Sequence, residues 1–481
     1  MSNLNGKVVA ATKWSALTEI VAKLVSPITN ILLAHLLTPE AFGIVATLTM
    51  IITFAEIFTD AGFQKYLIQH EFADDKDRSD STNVAFWSNL VISLVIWLFI
   101  GVFCNPIAAL VGNPGLGYVL VIACISIPLA AFSSIQMALY KRDLDFRTLF
   151  KVRIAGVVTP LLVTIPLAFF LRNFWALVIG TIAKDVVNAI LLTAYSRWKP
   201  KLYYSFEKLK EMFSFSMWSM VESITIWLTG YIDIFIVGTM LSQHYLGLYK
   251  TASTVVGQIM GLITAATTPI LFSALSRLQY NNEEFIKLFF TFQKFIGIMI
   301  IPMGVGIFCY RNFITEILLG NQWTEISGFV GWWGLTSAIT IVLSYYCSEV
   351  YRAKGRPKLS VLAQVLHIIV LYPTIIIAVH YDFETLYISR SLVRLEMVLV
   401  NFILMYFVIK ISPIKMIINI IPACIASGIM YGIALMLLKY CQSYFSQLLS
   451  IFICMIVYVS IICMFPNERN IIKQYIIKYS R

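Results

Sequence analysis

The sequence predicts an all-α polytopic membrane protein. It has about fourteen transmembrane helices, built as two parallel six-helix repeats plus two C-terminal helices. Three observations carry this. Only 13% of the 481 residues are charged and 59% are hydrophobic, with a mean hydropathy of +0.82, whereas a soluble domain is about a quarter charged. Apolar segments of about 20 residues, enough to cross the hydrocarbon of a bilayer, recur along the whole chain. A stretch at 13–43 returns without a gap at 217–247.

The spans are predicted near 14–37, 42–63, 84–111, 117–140, 154–171, 174–195, 213–241, 248–275, 293–310, 327–351, 359–379, 385–409, 414–438 and 447–465. The leading MSNLNGKVVAATK is short and polar, and no small-residue cleavage site follows the first apolar segment. The first span is therefore expected to be retained, not cleaved as a signal. The break between the fifth and sixth spans rests on Arg172 and Asn173 alone.

Basic residues orient the spans. With both termini cytoplasmic, Arg172, Lys250, Arg311 and Lys439 fall outside, and Lys23, Lys184, Arg390 and Arg394 fall within spans. The rest of the 36 Lys and Arg lie on cytoplasmic segments. The net charge of +11 thus reflects topology and contact with anionic lipid, and no nucleic-acid partner is expected. The eight cysteines form no C-x-x-C pair and read as small buried hydrophobes.

Trp14, Ser15, Ile20, Leu24, Ile28, Leu37 and Gly43 align with Trp218, Ser219, Ile224, Leu228, Ile232, Leu241 and Gly247. Six spans separate the two copies, so both halves run in the same direction, an arrangement known from secondary transporters with a midplane site. The expected organisation is a six-helix lobe over 1–195, a linker over 196–213, a second lobe over 214–410, and two further helices with a basic tail over 411–481. The linker, SRWKPKLYYSFEKLKEMF, is predicted to be a surface amphipathic helix with Tyr203, Tyr204, Phe206 and Leu209 at the interface.

Ionisable residues within spans are costly and usually face a cavity or a partner. Here polar residues fall on single helix faces. The stripes are Ser15, Glu19, Lys23, Ser26 and Asn30 in span 1, where Pro27 is expected to kink the helix, and Thr49, Thr53, Glu56 and Asp60 in span 2. They continue with Thr181, Lys184, Asp185 and Asn188 in span 6, and Glu222, Thr229 and Asp233 in span 7. Span 10 has Ser337, Ser344 and Ser348, and span 12 has Arg390, Arg394 and Asn401. A wet, charged cavity between two lobes is the economical reading. A structural reading stands beside it: Glu19 and Lys23 pair at i and i+4, Lys184 and Asp185 find structural partners, Asp60 is solvated, and Arg390 snorkels. Spans 13 and 14 carry no charge between Met416 and Leu438 or between Leu448 and Phe465. They are expected to face lipid or a lipid-like part of a substrate.

His35, His70, His244, His367 and His380 form no ligand-spaced pair. No H-E-x-x-H, G-x-S-x-G or Gly-rich phosphate loop occurs, so an enzyme is disfavoured and a transporter preferred.

Local motifs then point to a family. LLTPEAFGIVA (36–46), DAGFQKYLIQ (60–69), YKRDLDFRTL (140–149), LGLYKTA (246–252), SRLQ (276–279) and GRPK (355–358) resemble the Wzx-type oligosaccharide flippases. These form part of the polysaccharide transporter (PST) family in the multidrug/oligosaccharidyl-lipid/polysaccharide (MOP) exporter superfamily. The likeness runs from the first span to about residue 400. In the first motif Thr38 is placed to cap helix 2, with Pro39 and Glu40 in its first turn. His35 departs from the pattern, which leads one to expect Arg.

The resemblance implies a MOP/MATE-like fold in a bacterial cytoplasmic membrane, and a role in polysaccharide or lipopolysaccharide biosynthesis. It implies that undecaprenyl-pyrophosphate-linked oligosaccharide is flipped outward by alternating access, with a polysaccharide polymerase and export machinery as further partners. Lys23, Lys184, Arg390 and Arg394 are then candidates for the pyrophosphate, with Asn30, Asn188 and Asn401 for the substrate head. The polyprenyl tail would follow spans 13 and 14. The surplus carboxylates Glu222, Asp233, Glu56 and Asp185 are candidates for exchanging a proton or Na⁺; no other cofactor is expected. Alternatives are a lipid II flippase, which shares fourteen spans, and a cation-coupled drug antiporter, which would have twelve and which the in-span arginines disfavour.

Overall fold

The computed structural model describes residues 2–60 and 62–469. Among these, all regular structure is helical, and fourteen helices are long and apolar enough to cross a membrane. The helices that carry the spans are Ser2–Leu36, Pro39–Asp60, Asp75–Val102, Gly117–Arg142, Phe146–Leu171, Trp175–Tyr195 and Phe206–Met240, which are spans 1 to 7. Spans 8 to 14 are Gln243–Arg277, Asn282–Cys309, Asn321–Ala353, Lys358–Ala378, Phe383–Ile409, Ile421–Leu438 and Tyr444–Met464. The expected count holds, and so does the thinnest break. Arg172 turns the chain at φ 50, its N–H bonding to the Ala168 carbonyl, and Asn173 Oδ1 accepts from the Trp175 N–H at 3.0 Å. A non-glycine residue in that region costs about 1–2 kcal/mol, which the cap and the two packed spans offset.

Polar residues placed one step before a helix set several starts. Asp74, Asp145, Ser205, Asn281 and Asp382 each accept a backbone N–H three residues on, opening spans 3, 5, 7, 9 and 12, each worth about 1 kcal/mol. Span 2 opens on Pro39 and Glu40, with the Thr38 carbonyl accepting from Ala41. The YKRDLDFRTL stretch is a structural knot. Arg142 donates to the carbonyls of Leu67 and His70, at 2.7 Å each. Asp143 takes a forked pair of bonds from Arg78 at 2.9 and 2.8 Å, and Asp145 caps span 5.

One expectation is corrected. The linker is not an amphipathic helix along its length: 196–205 is irregular and the helix starts only at Phe206. Pro200 has no N–H to give. The Lys201 N–H is taken by Asn83, while its carbonyl accepts from the Trp87 indole. Leu209 packs into a core formed by Phe63, Tyr66, Phe86 and Met212 instead of lying at the interface. Lys208 pairs with Asp77. Burial works against its charge, but the carboxylate prevails and its pKa is raised. Span 1 runs through Pro27 as one helix. Single π-helical turns interrupt spans 5, 10 and 12 at Pro160–Thr164, Ile341–Tyr345 and Met405–Ile409; such turns re-aim the side chains that follow.

The chain divides into two compact units, Met1–Lys250 and Thr251–Arg481. Packing therefore places the seventh span with the first six, where it lies against span 2. In the second unit span 9 packs on spans 10 and 13. Small residues make the span 9–10 contact close: a Cβ on Gly304 would lie 2.3 Å from that of Ala338.

In the first unit the repeat meets itself. A Cβ on Gly43 would stand 1.9 Å from the Gln243 carbonyl oxygen, and one on Gly247 would stand 1.8 Å from that of Pro39. Glu40, whose counterpart in the repeat is His244, contacts that histidine at 2.6 Å. The recurring loop glycine is thus a packing requirement, because the starts of spans 2 and 8 touch through their backbones. Gly43→Ala and Gly247→Ala are each expected to destabilise by about 1–3 kcal/mol. Gly101→Ala, with nothing within 4 Å of the added carbon, is expected to be near neutral. Thermal unfolding of the purified protein checks the contrast.

Candidate functional site

Polar stripes in the first unit converge on two cavities. The first, about 420 Å³, lies among spans 2, 3, 4, 6 and 7 and is lined by Thr53, Glu56, Gln64, Lys65, Asn89, Ser133, Ser134, Asp185, Asn188 and Ser223. The second, about 380 Å³, lies among spans 1, 2, 5 and 6 and is lined by Ser26, Thr29, Asn30, Arg153, Thr164, Thr181, Lys184 and Asn188. Asn188 belongs to both linings and leans over span 5, where a Cβ on Gly156 would stand 2.9 Å from its Oδ1.

Geometry explains the division. Successive helical residues are turned by 100°, so the neighbours Lys184 and Asp185 serve different cavities. Their charged ends remain 3.4 Å apart. The second cavity is therefore cationic, with Lys184 and Arg153, and the first is rich in hydroxyls and amides around two carboxylates and Lys65. Many of the stripe hydroxyls are locally satisfied. Thr53 bonds to the Thr49 carbonyl at 2.8 Å, and Thr181 to that of Leu177 at 3.0 Å. Each keeps acceptor lone pairs for a ligand hydroxyl.

Of the sequence-predicted residues, the structure brings Glu56, Asp185 and Asn188 together in one cavity, and Asn30, Lys184 and Asn188 in the other. Lys23 is exposed and belongs to neither lining. Asp233 is buried: it accepts from the Tyr249 hydroxyl at 2.7 Å and from the Ile234 N–H at 2.8 Å. The side chains of Glu222 and Asp60 lie outside the described residues, as does the basic tail from 470 onward. Arg153, Lys65, Asn89 and Ser133 were missed. From the sequence Arg153 reads as a topological charge, although it stands two turns inside its helix.

Arg390, Arg394 and Asn401 belong to the second unit. The guanidinium carbons of Arg390 and Arg394 lie 4.9 and 4.0 Å from the centre of the Trp333 ring, and Arg394 donates to Ser337 at 2.7 Å. Asn401 is held by three bonds. It accepts from the Tyr351 hydroxyl at 2.7 Å and donates to Ser344 and the Met397 carbonyl, at 2.8 Å each. The second unit also holds an apolar cavity of about 510 Å³ lined from spans 8, 9, 13 and 14 and the segment after span 9. Its walls include Met299, Met303, Phe313, Met430 and Met455.

The sequence is similar to the succinoglycan biosynthesis transport protein ExoT of Rhizobium meliloti (strain 1021), 24% identical over 68% of this chain and 65% of that protein. It is also similar to the lipopolysaccharide biosynthesis protein WzxC of Escherichia coli (strain K12), 20% identical over 67% of this chain and 65% of that protein. The chain thus spans slightly less than two thirds of the length of these two relatives. A third, the teichuronic acid biosynthesis protein TuaB of Bacillus subtilis (strain 168), is 20% identical over 75% of this chain and 74% of its own length. Among solved structures, the lipid II flippase MurJ in an inward closed conformation matches with a TM-score of 0.76 at 16% identity, over 95% of this chain and 99% of that one. An inward-facing multidrug resistance MATE transporter of the MOP superfamily matches at 0.59 and 12% identity, over 85% and 94%. These two likenesses speak for the fold. The family described as "Polysaccharide biosynthesis protein" matches residues 32–328, more than half of the chain. The chain belongs to that family, with the fold of the multidrug/oligosaccharidyl-lipid/polysaccharide exporters.

Proposed function

We propose that this protein flips an undecaprenyl-pyrophosphate-linked oligosaccharide from the cytoplasmic to the external leaflet by alternating access. One observation carries the reading: polar, charged cavities in one unit and an apolar, uncharged cavity in the other. A substrate with a sugar head and a long isoprenoid tail needs both environments, because hydrated sugars are as ill-suited to hydrocarbon as the tail is to water. Its relatives are named for glycan biosynthesis and transport, and no covalent step is invoked.

With both termini cytoplasmic, even-numbered spans run inward. The first cavity uses the later parts of spans 2, 4 and 6, so it sits in the cytoplasmic half and receives the sugars. Lys184 and Arg153 hold the pyrophosphate in the second cavity, and Arg390 and Arg394 receive it nearer the external side. The tail lies along spans 13 and 14. A polymerase and export machinery take up the product, and a proton or Na⁺ moves in exchange.

Two measurements test this. In a strain lacking the gene, lipid-linked oligosaccharide is expected to accumulate, protected from an impermeant glycosidase in right-side-out vesicles. If no such intermediate builds up, the substrate assignment fails and a smaller cargo takes its place. In the complemented strain, Lys184→Gln and Arg153→Gln are each expected to lower export about ten- to a hundredfold, because a charge-assisted contact is worth about 1.5–3 kcal/mol. Lys23→Gln is expected to stay near wild type. Equal losses at all three positions would refute the cavity assignment.

A further inference from the structure

We propose that His367 and Glu396 form a proton-binding site that couples the flipping proposed above to a pH gradient. The two residues belong to spans 11 and 12, which pack together in the second unit. Glu396 stands midway between Phe383 and Ile409, and His367 close to midway between Lys358 and Ala378. The pair is therefore at the middle of both spans. His367 Nδ1 lies 2.9 Å from Glu396 Oε2, with the side chains 4% and 20% exposed.

An ionisable residue at the centre of a span is costly, and proton relays in membrane transporters are built from such Asp, Glu and His groups. Histidine is the side chain that changes charge near neutrality. Neutral imidazole against carboxylate leaves the pair at net charge −1; one added proton brings it to zero. In the protonated state the proton sits on the Glu396 carboxyl beside neutral His367, and water reaching the pair takes it away. The proton enters from external water when the pair is exposed there and leaves to cytoplasmic water on return. No other bond is made or broken.

Of the charged and titratable groups on the elements packed around the pair, Tyr345, Tyr372 and Tyr406 are exposed, Tyr346 and Cys347 bond to Thr267 and the Leu343 carbonyl, and others are attached elsewhere. At the end of span 10, Glu349 is 3.3 Å from Arg352, and Tyr351 donates to Asn401. On span 12, Arg390 and Arg394 lie against Trp333, and Tyr387 stacks on Phe329. Lys358 and Glu384 sit at span ends, each about 13 Å or more along its helix from the pair.

The test needs no substrate to begin. Infrared spectra of the purified full-length protein in lipid nanodiscs are recorded against pH. A protonated-carboxyl band is expected in the wild type, lost in Glu396→Gln and retained in Glu396→Asp. In His367→Gln its midpoint should move, because the neighbour that bonds to the carboxylate is gone. Identical titrations of the wild type and Glu396→Gln would overturn the site. In cells, collapsing the pH gradient with nigericin is expected to stop lipid-linked oligosaccharide reaching the external leaflet. Glu396→Gln is expected to block it with or without the gradient. Flipping indifferent to the gradient in the wild type would end the coupling proposal and leave the flippase reading standing. Conversely, a deletion strain without the lipid intermediate would end that reading, while the infrared result would still decide the proton site.

Discussion

Hydrocarbon offers no hydrogen bonds, and the rest of the structure depends on that. Every backbone N–H and C=O within the bilayer must find a partner in the chain, so the spans are helices and the breaks between them are short and capped. The same constraint governs the side chains. Thr18, Thr29, Thr49, Thr181, Thr340 and Ser391 each donate to a carbonyl one turn back. A hydroxyl satisfied by its own helix can line a cavity whether or not water or sugar fills it. Where longer side chains are buried, they are held across helices, as with Tyr249 on Asp233 and Tyr351 on Asn401. Polar groups that hold the bundle together and polar groups left to meet a substrate are thus separated by geometry, not by residue type.

The fold was legible because its signals are local. Apolar run length, basic residues at span ends, and the Arg172–Asn173 interruption are each read within a few residues. The linker was not legible in the same way. Its aromatic and basic pattern resembles an amphipathic helix, but tertiary contacts from Asn83 and Trp87 seize the backbone of Lys201. The site was legible face by face but not cavity by cavity. The polar stripes mark Asn30, Glu56, Lys184, Asp185 and Asn188. That adjacent residues of span 6 open into different spaces depends on which helices lie to either side. His367 and Glu396 are 29 residues apart in the chain and on separate spans, so no spacing rule joins them.

The internal repeat shows which constraint is stronger. Gly43 and Gly247 recur because the backbones of spans 2 and 8 touch, and no larger residue fits. Apart from Ser15, which returns as Ser219, the polar stripe of span 1 does not recur. At the same offset Glu19, Lys23 and Asn30 face Ser223, Trp227 and Ile234. The exchange of Lys23 for Trp227 has a direct packing counterpart. The Trp227 indole donates to Thr53 at 3.2 Å, and its ring lies 4.6 Å from that of Phe54. Span 7 therefore spends on span 2 the face that span 1 keeps exposed with Lys23. Both copies reach a cavity, span 1 with Ser26 and Asn30 and span 7 with Ser223, but only span 7 packs an indole on span 2. Backbone contact leaves a single choice of residue at the glycines, whereas a face turned toward open space tolerates many. The two copies of the repeat, both within the first unit, therefore share their joints and differ in the faces around them.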